Sequence, residues 1–388
     1  MIGQEWKSEI SEFKDEKTGR TIKKLTSQRN NYHLYFSENS FDLNRNEIIF
    51  LSDRASDQDK SVYEGCLFNV FRMDMGTGKA TQLTDEKTSI GGITKTPDSS
   101  LVTYMTGNQV KLLDTRTGKI SVLYEETGHY TLGSPSISPN LRYMAFCRNE
   151  KRVLPVGPNY TGFKEGWYAY KDGRITVAYL DGSGWFDVFK DTHWVGHFQF
   201  SPLDPTIGTF CHEGPWNLVT QRIWLLDFVA HEAYPCFRQE EQDSVGHEFW
   251  TRDGFVFFDD RGPGHDGTIT SNRTQAVATS VAVNENSMVP FVGLADINGN
   301  VVRKVDMPYY CNHYHANPDN TMLVGDDVDD LVLIDISSGV AKLTTLCNHK
   351  TSWHDHPAHC HPTWSWDGKR ILYASDFGGR VNLYLLDV

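Results

Sequence analysis

Thr363-Trp364-Ser365-Trp366-Asp367-Gly368-Lys369-Arg370-Ile371-Leu372-Tyr373-Ala374-Ser375 reads as a tight turn, Ser365 to Gly368, with a strand on either side. The turn recurs upstream at Thr96-Pro97-Asp98-Ser99, Ser138-Pro139-Asn140, Ser201-Pro202-Leu203-Asp204, Thr251-Arg252-Asp253-Gly254 and Asn317-Pro318-Asp319-Asn320. A degenerate first copy stands at Ser37-Glu38-Asn39-Ser40. Seven copies, roughly 40 to 65 residues apart, have the spacing of propeller blades. After each turn comes a hydrophobic strand, as at Glu47 to Leu51 or Ile371 to Ala374. A third strand then ends in aspartate (Asn69 to Asp74, Val110 to Asp114), and a fourth often opens with Thr-Gly (Thr77-Gly78, Thr117-Gly118). The last repeat stops at Val388, after its third strand. Thr18-Gly19-Arg20-Thr21-Ile22-Lys23-Lys24-Leu25-Thr26 carries the fourth-strand signature at the other end of the chain. Pairing 18–27 with 381–387 would close the ring and hide two strand edges. The expected fold is therefore all-β: one seven-bladed β-propeller over residues 1–388, a single domain. Long insertions at 148–173 and 259–288 read as loops, and no long helix is expected.

Composition narrows the function. With 388 residues, 39% hydrophobic and 12% aromatic, the chain can bury a substantial core. A net charge of −13 argues against nucleic acid or an anionic membrane as partner, and an acidic substrate would need a local positive site. No run of 18 apolar residues exists to span a membrane. Met1 to Glu16 lacks the apolar core of a signal peptide. Seven cysteines without CxxC spacing favour reduced thiols and a cytoplasmic protein.

Just before the opening turn stands His356-Pro357-Ala358-His359-Cys360-His361-Pro362. On a strand, His359 and His361 would share one face, and a third histidine from the preceding loop would complete a metal-ligand pattern. Aligning the seven turns on their third residue and counting back six gives His33, Gly92, Ser134, His197, His247, His313 and His361. One register on the innermost strands is one height in the channel, so five of seven positions form a ring of imidazoles at one mouth. The alternative is histidines that pack against neighbouring carbonyls, and His33 and His197 invite it most. Second strands end at the same mouth, where Phe210-Cys211-His212-Glu213-Gly214-Pro215 stands, and a third strand begins there with Gln221-Arg222-Ile223-Trp224. An arginine among histidines makes sense if they are neutral, metal-bound or handling an anion.

Several of these stretches together resemble polysaccharide lyase family 22, the oligogalacturonate lyases. They are Phe210 to Pro215, Arg222-Ile223-Trp224, Gly246-His247-Glu248-Phe249-Trp250, Val324-Gly325-Asp326 behind His313, Thr351-Ser352-Trp353, and His359-x-His361-Pro362. Trp194-x-Gly196-His197 fits as well. The likeness runs in order from about residue 18 to 388, dense over 194–262 and 311–388 and thin over 148–193. It implies a cytoplasmic seven-bladed propeller that holds Mn²⁺ through three histidines and a glutamine. His313, His359 and His361 match the histidine ligands. His356 stands where the family has glutamine, which leaves four imidazoles, a set that also suits Zn²⁺ or Fe²⁺. The family's base matches His247 and its charge-stabilising arginine matches Arg222.

The implied reaction is β-elimination on short oligogalacturonates. Removing the C5 proton builds charge on the uronate carboxylate, which a divalent cation offsets. A neutral histidine can take that proton at pH 7. His212, then His197 and His33, are candidate sugar contacts, and the expected partner is a small acidic oligosaccharide. Two other functions share parts of the pattern: a lyase acting on another uronate-containing oligosaccharide, and a TolB-like propeller that only binds. The latter has no need of the histidine ring or Arg222. No GxSxG elbow supports a propeller peptidase.

Overall fold

The structure is a computed structural model, and it describes residues 1–157, 161–241, 243–261, 289–309, 311–354 and 358–388. His356 and most of the 259–288 insertion lie outside the described residues. Seven antiparallel sheets form the blades of a ring. Blade 4 illustrates the pattern: Val195–Phe200, Ile207–His212, Ile223–Asp227 and Glu232–Pro235, running from the channel outward. Blade 5 begins with Val245–Trp250, blade 6 with Tyr314–Ala316 and blade 7 with Thr363–Trp364.

The repeated turn owes its shape to local hydrogen bonds. The Ser365 hydroxyl donates to Asp367 at 2.6 Å and accepts from the Arg370 amide at 3.0 Å. Thr96 and Thr251 donate likewise to Asp98 and Asp253, each at 2.7 Å. The fourth turn residue is left-handed in five copies: Ser99, Leu141, Gly254, Asn320 and Gly368, with φ between 52° and 86°. The aspartates that end third strands fold the next hairpin. Asp74 Oδ1 accepts the Gly76 and Thr77 amides at 2.8 and 2.9 Å, and Asp114 does the same for Arg116 and Thr117.

The ring closes as the sequence pattern predicts. Ile22, Lys23 and Lys24 pair with Leu386, Leu385 and Tyr384, so Thr21–Lys24 becomes the fourth strand of blade 7. The buried hydroxyl of Thr26 adds a bond to Asn382 at 3.0 Å. Two further strands escaped the pattern. Ser11–Lys14 pairs with Thr21–Lys24 as a fifth strand, and Glu5–Trp6 pairs with Ala80–Gln82 at the edge of blade 1. Ser11–Lys14 is exposed throughout, so it has no apolar period to read; backbone pairing holds it. Trp6 packs edge-on against Phe71 at 5.3 Å.

The 148–173 insertion is not a loop throughout. Its start extends strand Tyr143–Glu150, and Phe163–Ala169 is a seven-residue α-helix. Phe163 and Tyr170 pack on Trp194 with ring centroids 5.2 and 4.8 Å away. Among the described residues no helix is long and apolar enough to cross a membrane.

Candidate functional site

β-Bulges aim the channel histidines. The ladder of blade 4 slips between Gly196 and Gln199, around His197, and that of blade 5 between Val245 and Glu248, around His247. A bulge adds a residue and re-aims its side chain. His197, within its bulge, has a positive φ of 50°, and His361, before its strand, one of 47°. Such backbone costs on the order of 1–3 kcal/mol per residue and persists only where surrounding packing holds it. One expectation needs correction. His359 and His361 are not on a strand, because Pro362 has no N–H to pair and blade 7 starts only at Thr363. The left-handed turn at His361 replaces strand alternation.

Three consecutive blades bring their histidines together. One nitrogen each of His313, His359 and His361 lies within 4.8 Å of the others. Ring centroids are 4.3 Å apart for His313–His361 and 5.3 Å for His313–His359. His247 stands beside them, 4.8 Å from His313. Trp353, fully buried, backs His359 at 5.1 Å, and its indole donates to the Val328 carbonyl.

Each of three histidines is backed by an acid from the second strand of its own blade or the residue after it. Asp326 accepts both the His313 amide, at 2.6 Å, and Nδ1, at 2.9 Å. This turns Nε2 of His313 as the nitrogen available to a ligand. Asp259 lies 3.7 Å from His247 Nδ1. Glu213 lies 3.2 Å from His197 Nε2. Glycines make room for two of the acids: a Cβ at Gly196 would stand 2.3 Å from Glu213 Oε1, and one at Gly246 2.9 Å from Asp259 Oδ1. Burial pushes the His313 imidazole well down, helped by the charges of His247 and Arg261, so it stays neutral. Burial also pushes Asp259 up to about 6, against the pull of Arg261 and His313.

Arg222 belongs to a second cluster, between blades 4 and 5. Its terminal nitrogens lie 3.5 Å from Glu213 Oε2, and Nε lies 3.8 Å from Glu248 Oε2. His197 completes it, with Nδ1 3.2 Å from Glu248 and Nε2 on Glu213. Two basic and two acidic groups make up the cluster. Burial alone would lower the His197 pKa, but Glu213 and Glu248 raise it; burial would raise that of Glu213, but Arg222 and His197 hold it down.

The remaining sequence candidates stand apart from the three-histidine group. His212 Nε2 is bonded to Asp191 at 2.9 Å, and its ring stacks on His193 at 4.4 Å, between blades 3 and 4. His33 is buried and donates to the Cys360 carbonyl at 3.1 Å, the packing arrangement weighed for it above. The sequence reading missed Tyr35 and Phe36. They leave blade 1 and enter the channel. Phe36 is fully buried against His247, His313 and His361, at 5.3, 5.5 and 6.2 Å. Tyr35 touches His361 at 4.8 Å and His197 at 6.0 Å. The next residues, Ser37, Glu38 and Asn39, line a cavity of about 440 Å³ formed by the turns at the opposite mouth.

The donor set suits a divalent transition metal. Three imidazoles converge, one of them oriented by a carboxylate behind it, as metal-binding histidines commonly are.

Comparison with known proteins agrees. A family model described as oligogalacturonate lyase matches residues 3–388. An oligogalacturonide lyase of Pectobacterium atrosepticum is 23% identical, over 97% of this chain and 95% of its own length. An oligogalacturonate lyase of Dickeya dadantii matches at the same identity and coverage. Among solved structures, an oligogalacturonate lyase in complex with manganese superposes with a TM-score of 0.83 at 22% identity, covering 100% of this chain and 98% of that one. The oligogalacturonate lyase of Vibrio parahaemolyticus gives 0.83 at 21%, covering 100% and 99%.

Proposed function

Because the chain belongs to the oligogalacturonate lyase family, a family of pectin-degrading lyases, we propose that it cleaves short oligogalacturonates by metal-dependent β-elimination. The observation that carries this reading is the convergence of His313, His359 and His361 with a fourth histidine, His247, one ring away. The three would hold Mn²⁺, the ion in the solved relative, with His356 at the position of the family's glutamine. Bound beside a uronate carboxylate, such an ion offsets the charge that grows there when C5 loses its proton.

The chain's own groups do the rest. His247 takes the C5 proton. Asp259, 3.7 Å behind it, orients the ring and faces the imidazolium that forms. Arg222 supplies positive charge toward the substrate's carboxylates, held in place by Glu213 and Glu248. We read residues 1–388 as one domain. All seven cysteines are free thiols, which supports a reducing, cytoplasmic setting.

The test is to incubate purified protein and manganese with di-, tri- and tetragalacturonate and follow the ultraviolet absorbance of an unsaturated uronate. Rising absorbance is expected. A flat trace on all three, with activity on another uronide, would move the substrate assignment.

A further inference from the structure

Elimination leaves one proton unassigned. When His247 takes the C5 proton, the C5–H electrons form the C4=C5 double bond, C4–O4 breaks, and its electron pair goes to O4. An alkoxide is a poor leaving group, so O4 needs a proton as it departs. Galacturonate carries H5 and O4 on opposite faces of the ring, so the base is badly placed to supply it. Three nearby histidines are committed elsewhere. Both nitrogens of His197 face carboxylates at 3.2 Å, His212 is bonded to Asp191, and His33 to the Cys360 carbonyl.

We propose that Tyr35 is the acid that protonates O4. This rests on the elimination reading above. Tyr35 enters from blade 1, across the ring from His247 on blade 5. Its ring stands edge-on to His361, centroids 4.8 Å apart at 62°, and edge-on to His197, 6.0 Å apart at 88°. It therefore bridges the metal-binding histidines and the Arg222 cluster. Its phenol is near enough to Arg222 to act on the guanidinium charge. Phe36 packs on it at 4.4 Å, and Tyr35 itself is only half-buried. A phenol holds its O–H at neutral pH and can give it up and regain it. In the step, the Tyr35 O–H bond breaks, the proton goes to O4, and a phenolate remains beside Arg222. Solvent reprotonates it as His247 releases the C5 proton to solvent, so no proton is gained or lost overall.

The experiment compares two leaving groups in Tyr35→Phe, which keeps the ring and removes the hydroxyl. One substrate is digalacturonate; the other is methyl 4-deoxy-4-fluorogalacturonide, whose fluoride leaves without a proton. The expected result is a kcat on digalacturonate lower by about 10²- to 10⁴-fold. Fluoride release should stay within a few-fold of the unmodified protein, and manganese content and the Kd for digalacturonate should be retained. Equal loss on both substrates, or loss of manganese together with rate, would give Tyr35 a structural role and overturn the proposal. An undiminished rate on digalacturonate would overturn it as well. If the unmodified protein forms no unsaturated uronate at all, the elimination reading itself falls, an outcome distinct from failure of the Tyr35 variant.

Discussion

His247 and His313 are neighbours in the ring with nearly the same surroundings, yet their rings meet different partners. His313 has Nδ1 fixed on Asp326 at 2.9 Å and groups with His359 and His361; His247 has a looser acid behind it and lies outside that group. His247→Ala should keep manganese and melting behaviour while kcat falls about 10²- to 10⁴-fold. Parallel loss of manganese and rate would make His247 a ligand. His361→Ala should lose manganese and activity together, which metal analysis of the purified variant would check. The Arg222 cluster adds a pH dependence. Glu213, depressed, contributes stability above its unfolded value that is lost as pH falls through its lower folded one. His197, raised, contributes stability below its unfolded value that is lost as pH rises through its higher folded one. Urea midpoints should therefore decline on the alkaline side of the ordinary histidine range, and His197→Gln should flatten that limb; an unchanged slope would disprove the coupling. The histidines themselves were legible from their shared register. The register alone did not sort them; the proposed ligand and base roles came from the family resemblance, because the sorting depends on which carboxylate or carbonyl each ring meets.

At the scale of single elements, the inner strands are shaped around their acids. Gly196→Ala would drive a methyl to 2.3 Å from Glu213 Oε1, so the carboxylate must move and release Arg222 and His197. Activity should fall while manganese stays bound, since the glycine touches blade 4 and the ligands lie on blades 6 and 7. The N-terminal strands make a graded test. Removing residues 1–16 strips the outer strands Glu5–Trp6 and Ser11–Lys14 with Glu9, which pairs with Arg54, and Asp15, which accepts the Asn348 amide, but spares the closing strand, and should lower the melting temperature modestly. Removing 1–27 also takes the strand that pairs with Asn382–Asp387, buries Ile22 and closes the ring, and should lower it far more. Equal effects would mean the closing strand adds nothing. That strand was readable because it repeats the fourth-strand signature; the outer two were not, having only backbone pairing to declare them. The helix Phe163–Ala169 was half-legible: Phe163, Trp167 and Tyr170 lie on one helical face, but seven residues are too few to stand out.

Over the whole molecule, seven copies of one turn fix the ring, and the ring converts a sequence register into a height in the channel. That is why fold and histidine belt could be read together. Tyr35 and Phe36 could not, since they leave their strand and cross the channel irregularly, and no period marks such a crossing. Because blade 6 and the ring-closing blade 7 would share one ion, manganese should stabilise the ring. At a hundredfold excess over Kd the gain is about 2.7 kcal/mol, visible as a higher melting temperature that a chelator reverses and His361→Ala abolishes. The central claim, cleavage by elimination, is tested most directly by digesting digalacturonate with the manganese-loaded protein in ¹⁸O-water and weighing the products. The account predicts one galacturonate and one unsaturated uronate lighter by a water, with no ¹⁸O incorporated at the broken bond; two saturated galacturonates, one carrying ¹⁸O, would contradict it.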